Sequence, residues 1–524
     1  MGEAKRELVR AREARVAGTG LQTAGGRVQV RWEKASAATP MGQLAYFIEF
    51  LTLTGLWPRW QESYPLPYIS PNAPTKAEVP GTWLLSILSG HKRYSHVTAI
   101  RCDGVNPGLL GMRKVISEDA MRRALKATPE AAGIAWLDAH LERSVACLHD
   151  APWVLDIDTT IKPLYGKQEG AAVSYNPHKP GRPSHTYHTY LMAGLRLVVG
   201  AEVRAGDEHA GKHSLPGLLK ILDALPLERR PQVVRGDCGF GSDPFIAPLE
   251  ERGQSYLFKL RLSKNVKRHI ERIFWDAGWT DAGQGWEGKD GRLCLFGWKQ
   301  PRRVIVQRRP IRGEMLIADQ ADGQGLLGFV EVDRKTGKRT TGYETAVLVT
   351  NLDHEILARG QLYRDRADAE NAFDELKNQW GWSGFTTHDL HRCQLSARAV
   401  ALVYNWWSLF VRLANPQARR EAITSRPWLM SSVGRRTEHA GQTTLPSQDC
   451  MGISAKPKSC DARIRHAQAM GSPCCGAVQP CRSLAARLRT PQATPRRYRP
   501  AKTSSIPRNS CLSSRLTAVF RLMA

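Results

Sequence analysis

Apolar residues recur roughly every three to four positions through QLAYFIEFLTLTGL (43–56), GTWLLSILSGHKRYSHV (81–97), SEDAMRRALKAT (117–128) and AAGIAWLDAHLERSVACL (131–148), which predicts helices with one buried face. Thr39 and Pro40 predict the N-cap and first residue of the opening helix. This helical block ends near residue 150 and contains no clean helix-turn-helix. From Trp153 the pattern shifts to alternation, and TYLMAGLRLVVGAEVR (189–204) predicts a buried hairpin. Between about residues 262 and 350, short β-like runs (RLCLFGW, RRVIVQRR, LLGFVEV, ETAVLVTNL) are separated by Gly- and charge-rich turns. A helical period returns in LYRDRADAENAFDELKNQW (362–380). RAVALVYNWWSLFVRLA (398–414) is apolar almost all round and is expected in the core.

The helix at 362–380 carries unusual chemistry. At about 100° per residue, Arg366, Glu370 and Lys377 lie roughly 60°, 20° and 40° from Tyr363, so all four share one face. A carboxylate among a guanidinium, an ammonium and a phenol suits a site that holds a divalent metal and a phosphodiester together. Asp374 lies on a similar face one turn later, whereas Glu375 points about 120° away and serves as a dispensable comparison.

Two upstream aspartates stand in strand contexts. In WVLDIDTT, Asp156 and Asp158 alternate with Leu155 and Ile157, so a strand points both acids to one side. In PQVVRGDCGFGSDPF, an apolar strand runs into Asp237 and a Gly-rich turn, the kind of strand end where open α/β sheets build their sites. The order Asp158, Asp237, Glu370, with Tyr363, Arg366, Glu370 and Lys377 in Tyr-x2-Arg-x3-Glu-x6-Lys spacing, resembles the DDE transposases of bacterial insertion sequences, specifically the Y-R-E-K signature group. The likeness runs over roughly residues 40–445 and includes SYNPHKPGRPSH (174–185), RGDCGF (235–240), NQWGWSGFTTHD (378–389) and VYNWWSLF (403–410).

The resemblance implies an α/β fold: a ribonuclease H-like core with a β-rich insertion and an N-terminal, mostly helical domain that recognises transposon ends. It also implies metal-dependent cleavage and strand transfer of insertion-sequence DNA ends. Asp158, rather than Asp156, directly precedes the Thr pair as the family's first aspartate does. Tyr363, Arg366 and Lys377 are expected to grip phosphates near the cut. The partners expected are double-stranded DNA with its terminal inverted repeats and a second copy of the chain in the DNA complex.

The chemistry agrees with that assignment. Cutting a phosphodiester requires an activated water and a stabilised leaving oxygen, and two divalent ions roughly 3.5–4 Å apart serve both ends of an in-line displacement. Three carboxylates crowd like charges, and a cation allows all of them to stay ionised. Oxygen ligands without a His/Cys cage favour Mg²⁺, with Mn²⁺ a substitute. Lys179, Arg182, His178 and His185, on the proline-stiffened loop 174–185, are expected to clamp DNA phosphates. Trp380 and Trp382 are candidates to stack on an unpaired base, with packing as the competing reading. Gly283, Gly285 and Gly288 spell G-x-G-x-x-G without a strand–helix context and read as turn glycines, and His209 and His213 lack a third zinc ligand.

Net charge +26 makes nucleic acid the natural partner, and the absence of a long apolar run points to a cytoplasmic, nucleoid-associated protein. The expected segments are 1–38, a basic flexible arm; 39–150, helical; 151–261, the first part of the core; 262–350, the insertion; 351–445, the second part of the core. Residues 446–524 differ: they hold six of the eleven cysteines and fourteen Lys and Arg against Asp449 and Asp461 alone. This Cys-rich basic tail is expected to be disordered and read in a shifted frame, with a genuine basic DNA-binding extension as the rival reading, and it leaves a catalytically crippled DNA-binding relic as the alternative to an active enzyme.

Overall fold

A computed structural model of the chain describes residues 19–30, 37–174, 176, 179–311, 330–332, 339–353 and 355–447. All of these lie within one compact unit, Met1–Arg489. The expected tail falls almost wholly outside the described residues. Within the stretch expected as a flexible arm, β1 (Thr19–Thr23) and β2 (Gly26–Val30) form an antiparallel hairpin, and β3 (Ala37–Thr39) follows. Thr39 is therefore not a helix cap. Its hydroxyl donates to Asp103 at 2.9 Å, and the first helix, α1 (Leu44–Leu53), begins four residues after Pro40.

The helical block continues with α2 (Leu56–Glu62), α3 (Glu78–Leu88), α4 (Glu118–Ala127) and α5 (Glu130–Val145). Ser117 caps α4 by accepting from the Ala120 amide at 3.3 Å, as its SEDA sequence favours. The block then gives way to strands β4 (Val154–Pro163), β5 (Ala172–Val173), β6 (Pro183–Met192) and β7 (Leu197–Ala205). Helix α6 (Leu215–Ala224) leads to β8 (Val233–Gly236), and α7 (Asp243–Glu251) leads to β9 (Tyr256–Lys259). The chain runs on through α8 (Lys264–Ile273), β10 (Thr280–Gly283), β11 (Trp286–Leu293), β12 (Arg302–Ile311), β13 (Val330–Val332) and β14 (Arg339–Thr350).

Strands β7, β6 and β4 are antiparallel neighbours, and β8 and β9 join β4 in parallel on its other side, the strand order of a ribonuclease H-like core. The β-rich stretch expected as an insertion extends this same sheet, because Leu348–Thr350 of β14 pair with Leu257–Lys259 of β9. That stretch opens with a helix rather than a strand: Val266 and Ile270, four residues apart, bury one face of α8.

Beyond the sheet come α9 (Ile356–Arg364), α10 (Ala367–Gln379), α11 (Leu390–Ala414), α12 (Ala422–Leu429), β15 (Gly434–His439) and β16 (Gln442–Thr444). The apolar α11 packs between the helical block and β7, as its composition predicts. Asn405 fixes it there: its amide oxygen accepts from the Val198 amide at 2.8 Å, and its nitrogen donates to the Val198 carbonyl at 2.7 Å and to Ser144 at 3.0 Å. Each polar edge of this buried side chain thus has a partner. Trp406 and Trp407 meet Trp60 and Phe47 edge-on at 5.2 and 5.1 Å, so one hydrophobic core runs from the helical block into the sheet. Among the described residues, no helix is long and apolar enough to cross a membrane.

Candidate active site

Strand β4 lies between β6 and β8, with Leu155 and Ile157 fully buried and Asp156 and Asp158 on the alternate positions. Asp156 is taken up by Arg235, whose Nε and Nη2 donate to its two oxygens at 2.6 and 2.7 Å. Asp158 accepts from Arg366 at 2.6 Å and from the Thr159 amide at 2.7 Å. Asp237 follows the last residue of β8, and its carboxylate accepts the Gly239 amide at 2.9 Å. Only glycine fits at 236, since a Cβ there would stand 2.6 Å from Phe240 and 3.0 Å from Ile157. The tight turn holding Asp237 beside β4 depends on that gap.

The segment carrying Tyr363, Arg366, Glu370 and Lys377 is not one continuous helix. Helix α9 stops at Arg364 and α10 starts at Ala367, with Asp365 and Arg366 forming a turn between them. Tyr363 lies one residue before the end of the first helix, Arg366 is buried at the break, Glu370 is exposed on the second, and Lys377 is half-buried two turns on. The break directs Arg366 into the sheet toward Asp158, which an uninterrupted face does not require.

Charge couples these groups. Burial raises the Asp158 carboxyl to about 7; Arg366 and the Thr159 amide oppose the rise, and Asp237 and Glu370 add to it. Burial disfavours the Arg366 cation, but Asp158, Tyr363, Asp237 and Asp156 outweigh it and hold that guanidinium above its ordinary value. The Tyr363 phenol is pushed up, mainly by burial, and Lys377 is pushed down by burial against the pull of Asp158 and Asp374. Asp158 therefore feels both Asp237 and Glu370. Among the described residues, however, no three His, Cys, Asp or Glu side chains form a closed metal cage, and the cation facing Asp158 is Arg366.

A cavity of about 560 Å³ begins next to Asp158 and runs along Thr159–Pro163, with Lys179, Lys377, Asn176, Tyr187 and Trp382 on its walls. Lys179 and Arg182 are exposed at its rim, stacked over the Tyr165 ring at 5.1 and 4.9 Å. His185 is not part of this basic rim: it is fully buried, bonds the Glu169 carbonyl at 2.7 Å, and burial pushes its imidazole down toward the neutral form. His178 lies outside the described residues.

The two tryptophans offered for base stacking are core residues. Trp380 is fully buried, donates to Glu375 at 3.2 Å and has the Arg426 guanidinium 4.0 Å from its ring centroid. Trp382 is 2% exposed, donates to the Ala397 carbonyl at 2.9 Å and meets Tyr187 edge-on, forming cavity wall rather than a free platform. Packing wins because NQWGWSGF turns back into the sheet directly after α10. Glu375 is likewise no neutral comparison: it is 2% exposed, pairs with Arg419 and accepts the Ala422 amide at 3.1 Å. Asp374 is exposed and, among the described residues, is held locally by Asn378 at 2.7 Å.

Residues 84–428, more than half of the chain, match the family described as transposase DDE domain group 1. The chain belongs to that family. No curated protein matches the transposase. Among solved structures, the cryo-EM structure of a piggyBac transposase synaptic complex with hairpin DNA aligns at TM-score 0.34 and 12% identity, over 88% of this chain and 85% of that one. Sequence reasoning misses the Asp156–Arg235 pair, because on the sequence alone Asp156 stands only as a rival to Asp158. The signal was present: each member stands two residues before a candidate catalytic aspartate, and parallel strands set such positions side by side.

Proposed function

We propose that this transposase cuts the DNA ends of its insertion sequence and joins them to a target by metal-dependent phosphoryl transfer, with Asp158, Asp237 and Glu370 as the metal-holding acids. The observation that supports the reading is their proximity: Asp158, which burial raises to about 7, also feels the charges of Asp237 and Glu370 from two other elements distant in sequence, and both add to the rise. The donor set suits a hard divalent cation, Mg²⁺ with Mn²⁺ as substitute, because every group is a carboxylate. Such ions, when bound, activate the attacking water and stabilise the leaving oxygen.

The chain's own residues supply the rest. Arg366 and Lys377 offer two cations beside Asp158 for phosphate oxygens, and the Tyr363 hydroxyl, kept protonated by its burial, is a donor there. Lys179 and Arg182 hold the backbone further from the cut, and the basic chain as a whole adds sequence-independent affinity for double-stranded DNA. Residues 39–150 would read the terminal inverted repeats, and a second copy of the chain would hold the other end. The test is incubation of the full chain with labelled fragments of its element's own ends, a target plasmid and Mg²⁺. Nicked ends that become joined to plasmid support the reading; binding without cutting, or cutting without joining, contradicts it.

A further inference from the structure

Behind the proposed acids, the sheet holds a charged pair that this chemistry leaves unused. Asp156 and Arg235 are 1% and 2% exposed and directly opposite each other on parallel β4 and β8. Two residues on, the same two strands deliver Asp158 and Asp237. Arg235 has a third partner: beyond the two bonds to Asp156, its Nη1 donates to the carbonyl of Leu362.

That carbonyl is available because of the helix break. In an unbroken helix the Arg366 amide would donate four residues back, to Leu362. Here it donates to the Tyr363 carbonyl at 3.1 Å, and Arg235 takes the acceptor left over. One planar guanidinium thus ties the strand carrying Asp158, the strand leading to Asp237 and the turn leading to Arg366 and Glu370. A lysine ammonium lacks the rigid fork needed to hold both carboxylate oxygens and a carbonyl at fixed angles. Stability alone gives little reason for such a pair, since buried ion pairs can be replaced by apolar residues of similar volume at little or no loss.

We propose that Arg235, held by Asp156, is a positioning residue for strand cleavage: it sets how the turn bearing Arg366 and the helix bearing Glu370 meet Asp158 and Asp237. This rests on the proposed transposase chemistry. Groups standing one step behind metal-binding side chains commonly alter metal affinity or activity by about 10–100-fold when changed. Two full-length variants test the role: Arg235→Lys, which keeps the charge, and the double variant Asp156→Leu with Arg235→Met, which keeps the volume.

Both are expected to fold and to bind labelled ends with the wild-type Kd. Nicking at saturating DNA should fall about 10–100-fold, and half-maximal nicking should require more Mn²⁺. A purely structural pair would move neither quantity in a variant that folds. A folded variant of either kind with wild-type nicking and Mn²⁺ requirement overturns the proposal, as does failure of both variants to fold. If the double variant alone misfolds, Arg235→Lys decides. A wild-type chain that does not nick contradicts the proposed function instead, and calorimetric titration of Mn²⁺ into wild type and Arg235→Lys then tests the positioning role, with equal affinities overturning it.

Discussion

Glu375→Gln is expected to weaken the fold, although the residue lies only five positions beyond Glu370 on the same helix. The Glu375 carboxylate is 2% exposed and receives the Arg419 guanidinium, the Trp380 indole at 3.2 Å and the Ala422 amide at 3.1 Å. Ala422 is the first residue of α12, so the acid also sits where a helix N-terminus favours negative charge. Glutamine keeps one oxygen for the indole or the amide, but it turns an NH₂ group toward partners that only donate. Breaking a buried pair from one side costs about 3–5 kcal/mol. Arg419 retains 19% exposure and the Tyr404 hydroxyl at 3.1 Å, which places the loss near the lower end, about 3 kcal/mol. With an unfolding entropy of about 2.1 cal/mol/K per residue over roughly 400 described residues, the melting temperature should drop by about 3–4 °C. Thermal unfolding followed by near-ultraviolet circular dichroism measures this, with the exposed Asp374→Asn as the unchanged reference. A Glu375→Gln melt within about 1 °C of wild type would refute the reasoning.

Acid should destabilise the protein before its ordinary carboxylates protonate, although Asp158, raised to about 7, takes up its proton first in the folded state and offsets part of the loss. Burial pushes the His140, His149 and His188 imidazoles down to about 4, whereas in the unfolded chain they titrate near 6.5. At these histidines the unfolded state therefore takes up protons first: their contribution is full above about pH 6.5 and declines as pH falls toward about 4, by at most about 3 kcal/mol per histidine. Urea midpoints that stay level between pH 7 and 5 would contradict this. Truncation after Ser447 removes fourteen Lys and Arg and two Asp, twelve of the net +26 charges. Non-specific DNA affinity should weaken and its log–log salt dependence flatten by about 0.9 for each phosphate no longer neutralised, while preference for the element's ends persists. Disappearance of that preference would place end recognition in the tail.

The sequence was most readable where a local period governs structure. The spacing in SEDAMRRALKAT and AAGIAWLDAHLERSVACL locates α4 and α5, and the apolar run 398–414 foretells the burial of α11. It was least readable where a distant partner decides. Thr39 has good capping chemistry, yet pairing of β3 with β15 draws it into a strand. Angular bookkeeping put Tyr363, Arg366 and Glu370 on one face but could not see the break, where Arg235, more than a hundred residues earlier, bonds the Leu362 carbonyl. Sequence alone leaves Trp380 between base stacking and packing and offers Glu375 as a dispensable comparison, and only the packing of α12 against α10 shows that they support each other in the core. Position along a helix says which residues share a face; which face is covered is settled by what folds over it.

The central claim rests on Glu370 as the third acid, and a matched pair of variants tests it directly. Glu370→Gln keeps size and helix propensity while removing the charge. Glu370 is exposed, so folding should hold, and binding of labelled ends should persist through Arg366 and Lys377. Asp374→Asn removes another exposed acid one turn further along α10. Mg²⁺-dependent nicking of a labelled element end should vanish in Glu370→Gln and continue at the wild-type rate in Asp374→Asn. An active Glu370→Gln, or an inactive but well-folded Asp374→Asn, would contradict the account.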